Sequence, residues 1–231
     1  MSQVAQVKFF DYESSIAGAL DLVGAGARLP QQGLIIIKPN LTNSSAPPVT
    51  TDVAAAEAVY RYCKAHTKAE IAIGDGCGRG RTADLFAALG YTDLAKRCGL
   101  ELIDFNEAET VTLENKDALQ LKRFCMPRIV QQAFIISLPV LKDHSFTKTT
   151  IAMKNMFGIA PGKVLRRLVE QIEAPQPLDG QIRGGYLPIQ EARLVNRGRL
   201  GRADGHALGR HAQEDRTHPG RLRSCRRRYH R

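Results

Sequence analysis

Four stretches set lysine, aspartate, histidine or asparagine directly after apolar runs, where a buried chain emerges with polar groups in hand. In IIIKPNLTNSSAPPVTTD (35–52), Lys38 and Asn40 follow three isoleucines, with Pro39 stiffening the exit. Thr50 and Thr51 precede a helix start, whose free N–H groups and neighbouring hydroxyls favour an anion. A capped helix with a solvated loop is the plain alternative, but a lysine closing a buried run is costly without a partner. IGDGCGRGRT (73–82) brings Gly74, Asp75, Gly76, Gly78 and Gly80 into one loop. It resembles a phosphate cradle without matching GxxxxGK[ST] or GxGxxG. Asp75 is expected to accept hydrogen bonds or to ligate a metal, with a simple strand-to-helix turn as the alternative.

In ISLPVLKDHSFTKTT (136–150), Lys142, Asp143 and His144 follow the next run, and two threonines stand close by. A lone histidine is commonly structural; its neighbours here give it a ligand-binding or catalytic alternative. IAMKNMFGIAPG (151–162) carries Lys154 and Asn155 in an otherwise apolar helical stretch, with Met153, Met156 and Phe157 read as core. Lys154 must snorkel, or meet an acid or an anionic ligand. If these runs are parallel strands, Lys38, Lys142 and Lys154 share one rim with Asp75 and His144. The natural guest is a small anionic molecule, with a divalent metal held by Asp75 and His144 as a further option. Phosphoryl or acyl transfer by Lys38, Asp75 and His144 is the competing enzymatic expectation.

The elements that must position these groups follow from periodicity. Residues 33–40, 70–76, 100–106 and 131–142 read as buried strands, and 4–10 as a further strand. Helices are expected over 14–27, opened by a serine cap, over 53–66 behind Thr51 or Asp52, and as a short pair over 82–99. Residues 111–127 read as a strand pair. Strands alternating with helices of 10–15 residues specify an α/β fold, a mostly parallel doubly wound sheet with flanking helices. In such sheets ligands bind beyond the carboxyl ends of the strands, where the four stretches lie.

Composition narrows the function classes. The chain has 231 residues, 43% of them hydrophobic, and no tryptophan. No apolar run approaches the roughly 20 residues of a membrane span, so no membrane partner is expected. MSQVAQVKFFDYESS has no basic segment followed by an apolar one, which predicts a cytoplasmic protein. Cys63, Cys77, Cys98, Cys125 and Cys225 form no CxxC pair, so no iron–sulfur cluster ligated by this chain is expected.

The net charge of +10 is concentrated at one end. Residues 184–231 carry twelve arginines, no lysine and four acidic residues, leaving 21 basic and 19 acidic residues in 1–183. Beyond about residue 165 no period of 2 or 3.6 persists. The expected organisation is therefore an α/β domain over 1–165 and an aberrant tail over 166–231 without a stable fold. Such a tail offers polyanion or nucleic-acid binding, weak and non-specific. Arginine, glycine, histidine and proline without lysine also fit translation in a shifted frame. Moving the frame by one nucleotide over 192–231 permits PDLSIVDGLV and, further on, TPKKIGLILAGSDPVAVDTT, which have strand and turn patterning that the printed residues lack.

With KPNL and TT, then IGDG, then LPVLKDH and AMKNMFG in this order, the chain resembles the family of domain of unknown function 362 across roughly residues 33–165. PDLSIVDG and GSDPVAVD in the shifted frame resemble that family's later segments, which implies that a frameshift has truncated this chain. The resemblance brings no assigned reaction. It implies a redox setting, because members often accompany ferredoxin-type iron–sulfur modules, and hence a possible ferredoxin-type partner.

Overall fold

Three consecutive isoleucines make the centre of the sheet. The computed structural model describes residues 3–117, 123–144, 148–162 and 191–193. In chain order its strands are β1 (Leu34–Lys38), β2 (Glu70–Asp75), β3 (Glu101–Asp104), β4 (Thr110–Glu114), β5 (Arg123–Pro127), β6 (Phe134–Ser137), β7 (Lys142–His144), β8 (Lys148–Thr150) and β9 (Glu191–Arg193). Its helices are α1 (Tyr12–Leu22), α2 (Val53–His66), α3 (Thr82–Ala88), α4 (Tyr91–Cys98), α5 (Arg128–Gln132) and α6 (Ala152–Met156).

Ile35, Ile36 and Ile37 are wholly buried, as a strand covered on both faces requires. Each contributes roughly 1.5–3 kcal/mol by leaving water. β1 pairs in parallel with β2 on one side, Ile36 opposite Ala72, and with β6 on the other, Ile36 opposite Ile135. β3 extends the sheet beyond β2. The four strands thus run β3-β2-β1-β6, with the short β9 parallel to β6 at its outer edge. Apart from β9, the tail expected over 166–231 lies outside the described residues from residue 166 on.

Alternation along β1 divides the core. Ile35 and Ile37 pack with Ile73, Ile136 and the helices α1 and α2, while Ile36 packs with Ala72, Phe105, Met126 and Ile159 on the other face. β4 and β5 form an antiparallel hairpin, as the strand pair over 111–127 leads one to expect. Asp52 caps α2 by accepting from the Ala54 N–H at 2.9 Å. None of the helices among the described residues is long and apolar enough to cross a membrane.

Three expectations need correction. Residues 4–10 form no strand, and Val4 and Phe10 are exposed. Among the described residues no strand pairs with this segment, so its apolar residues belong to no ladder. The first helix is α1, set by Asp11 rather than a serine: Asp11 accepts from the Ser14 N–H and hydroxyl, both at 2.8 Å. It stops at Leu22 because Gly24 turns the chain at φ 61°. The apolar run over 131–142 is divided: α5 ends at Gln132, β6 spans four residues, and Lys142 begins a separate hairpin, β7–β8.

Candidate functional site

β1 ends on a buried charge. Lys38 is 1% exposed, and its Nζ donates to Asp75 Oδ1, to the Pro39 carbonyl at 3.1 Å and to Asn155 Oδ1 at 3.2 Å. Asp75, the last residue of β2, is equally enclosed. Its oxygens also accept from the N–H groups of Leu41 at 2.8 Å and Gly76 at 2.9 Å. Burial pushes the Asp75 carboxyl up from its ordinary value, and the Lys38 ammonium with the two N–H groups pulls it back. The lysine at the strand end thus has the partner its burial demands.

Asn155 locks α6 onto this pair. Its Nδ2 donates to the Lys38 carbonyl at 3.1 Å and to Ser137 Oγ at 2.9 Å, which joins α6 to β1 and β6. Close approach here excludes side chains. A Cβ on Gly158 would stand 2.8 Å from both Asp75 Oδ1 and Lys38 Nζ. One on Gly74 would stand 2.5 Å from the Phe105 ring, and one on Gly76 2.7 Å from the Gly158 carbonyl oxygen. The glycines of IGDG and MFG thus make room for backbone and for the ion pair.

Above the pair opens a cleft of about 930 Å³, bordered by Lys38, Asn40, Asp75, Gly76, Lys142, Lys154 and Asn155. It lies where the chain order reverses about β1, at the carboxyl ends of β1, β2 and β6, the usual ligand position of such sheets. Arg79 and Glu107 also line it. Lys142 donates to Asn40 Oδ1 at 3.0 Å and to the Val49 carbonyl at 2.6 Å. Burial lowers Lys142 to about 8, Asp75 acting against that shift and Lys154 with it. Lys154 Nζ lies 4.9 Å from the centre of the Phe157 ring, a favourable cation–π arrangement. Among the described residues the lining thus holds four basic side chains, Lys38, Arg79, Lys142 and Lys154, and two acidic ones, Asp75 and Glu107.

The threonines stand behind the cleft. Thr51 Oγ1 accepts from the Asn40 N–H at 2.8 Å and donates to the Leu138 carbonyl at 2.9 Å, while the buried Tyr91 hydroxyl holds the Thr51 carbonyl. Thr50 Oγ1 donates to the Ser45 carbonyl at 2.7 Å. Both shape the loop that carries Asn40. Gly74 lies beneath, against Phe105. His144 is the last residue of β7, and its side chain lies outside the described part of the structure. Among the described residues no three His, Cys, Asp or Glu side chains gather as a metal site.

Asn106, not among the residues expected from the sequence, also belongs to the site. Its Nδ2 donates to the Cys77 carbonyl at 3.1 Å and to Thr82 Oγ1 at 3.3 Å, and its Oδ1 accepts from the Gly162 N–H at 2.8 Å. It ties the glycine loop, the exit of β3 and the segment after α6 into one wall. Its signal was the one that marked Lys38 and Asp75, a polar residue directly after a buried strand run.

The sequence model of a family described as Domain of unknown function (DUF362) matches residues 35–178, from the second residue of β1 past α6. Every residue placed around the cleft falls within that span. Comparison with curated proteins gives no match.

Proposed function

The chain belongs to the DUF362 family, and from that premise we propose that its crest cleft binds a small anionic molecule. One observation carries this reading: among the described residues that line the cleft, four are basic, Lys38, Arg79, Lys142 and Lys154, against two acidic, Asp75 and Glu107. A cleft with walls of low polarizability focuses such a charge excess and concentrates anions. The Lys38–Asp75 pair serves as the floor of the cleft. Both Asp75 oxygens already accept hydrogen bonds, so the donor set fits an anion above the pair better than a metal at Asp75.

Thermal unfolding in inorganic phosphate tests this. At ten times its dissociation constant, phosphate adds about 1.4 kcal/mol of stability, or about 3–6 °C in a chain of this size. In the variant Arg79→Ala/Lys154→Ala the shift disappears while the unliganded protein still unfolds cooperatively. An equal shift in that variant, or none in the wild type, rejects the reading.

A further inference from the structure

We propose that Lys142 is a carbonyl-reactive amine, forming an imine with the aldehyde or oxo group of the anionic compound bound in the cleft. This rests on the anion-binding reading above and names the substrate class, anionic oxo compounds.

The three lysines of the cleft have unlike surroundings. Lys38 is ion-paired with the Asp75 carboxylate. Lys154 lies over the face of the Phe157 ring, a cation–π arrangement. Lys142 has neither arrangement. Its acceptors, Asn40 Oδ1 and the Val49 carbonyl, are both neutral, and among the described residues no carboxylate lies within ion-pair distance of it. An uncharged amine has two N–H bonds and one lone pair. Two carbonyl acceptors satisfy those donors completely and fix the nitrogen, which leaves the lone pair as its remaining direction. Lys142 itself lines the cleft in which the anionic compound binds.

Burial adds to this by lowering Lys142 to about 8. At pH 7 about one molecule in ten then carries the neutral amine, about 10²-fold more than for an ordinary lysine. Lys154 and Arg79 line the same cleft and face the anionic group of the guest while its carbonyl carbon meets Nζ.

The step balances without an oxidant. The Nζ lone pair forms the C–N bond, and the carbonyl π electrons pass to oxygen, which takes up a proton as nitrogen releases one. The carbinolamine then loses its hydroxyl with a further proton as water, and the C=N bond forms. Amine and carbonyl give imine and water.

Pyridoxal 5′-phosphate, an anionic aldehyde, is the probe. The full chain is incubated with it at pH 7, reduced with cyanoborohydride and mapped by peptide mass spectrometry. Lys142 is expected to label about 10²-fold faster than the exposed Lys8, Lys64 and Lys96, with a pH profile half-maximal near 8. Inorganic phosphate slows the labelling, and Lys142→Arg abolishes it at that position. Label spread evenly over the exposed lysines, or a Lys142 rate still climbing beyond pH 10, overturns the proposal. Unliganded wild-type protein warmed with phosphate alone separates the two ideas. Stabilisation by phosphate without label at Lys142 sinks the imine and leaves anion binding standing; no stabilisation removes both.

Discussion

Replacing Asp75 with asparagine leaves a buried ammonium without its counter-charge. Lys38 is 1% exposed and Asp75 2%, so water cannot substitute for the missing partner. What remains around Nζ is the Pro39 carbonyl and Asn155 Oδ1, both neutral and both beyond 3.0 Å. The amide nitrogen of the new side chain must also face one of the N–H groups of Leu41 or Gly76 that now meet carboxylate oxygens. Breaking one side of a buried pair costs about 3–5 kcal/mol, and a chain of this size then melts about 6–20 °C lower. Lys38→Met is the mirror experiment, and it has a pH signature. Asp75 then lacks the ammonium that opposed the upward push of burial. A carboxyl raised in the folded state stabilises fully below its unfolded value, and that stability is lost as pH rises through the folded one. The deficit of Lys38→Met relative to wild type is therefore smaller at pH 5 than at pH 7. The double variant Lys38→Met/Asp75→Asn removes both charges and recovers much of the loss, so the cycle shows a coupling of at least about 1 kcal/mol. Urea unfolding followed by circular dichroism measures all four proteins. Single variants within about 1 kcal/mol of wild type, or strictly additive losses, would refute this account of the pair.

Gly158→Ala places a methyl 2.8 Å from both charged atoms of that pair, and overpacking of this kind costs about 1–3 kcal/mol; a urea midpoint equal to wild type would show that α6 can retreat freely. Phosphate affinity is expected to fall as pH rises past about 8, since Lys142 loses its proton there and a bound anion favours its ammonium. The decline is at most tenfold per pH unit, and titration calorimetry at pH 7, 8 and 9 with and without Lys142→Arg isolates it, because arginine stays charged throughout.

How much of this could be read from residues alone depended on how local the cause was. β1 and β2 announce themselves as short apolar runs bounded by polar residues, because a strand buried on both faces has no need of alternation. A cap at Thr51 or Asp52 could be placed from side-chain type alone, and Asp52 is the one that holds the Ala54 N–H. The same local view misplaced the segment over 4–10: it has strand composition, yet a strand exists only where another offers an edge. It also overlooked α5, five residues whose identity depends on the hairpin before it and the strand after it. At the site, Lys38 and Asp75 were visible because each ends a buried run. That they would meet one another, and that Asn155 would reach back across 117 residues to join them, is a property of the order β2-β1-β6. The neutral environment of Lys142 was equally hidden, since both its acceptors come from the loop before α2.

The separations within the ion-pair cluster set an order of events as the polypeptide leaves the ribosome. Lys38 and Asp75 lie 37 residues apart, and both belong to strands that pair directly, so they can meet once the first hundred or so residues have emerged. Asn155 and Gly158 arrive later and can be added only when β6 has docked on the far side of β1. Until then the charged pair lacks its lid and the cleft has no wall on that side. Contacts of long sequence separation form slowly, and synthesis runs from the N-terminus. The cleft is thus completed only after the chain has passed Gly162, and any compound that fills it distinguishes such chains from shorter nascent ones that already hold β1, β2 and β3.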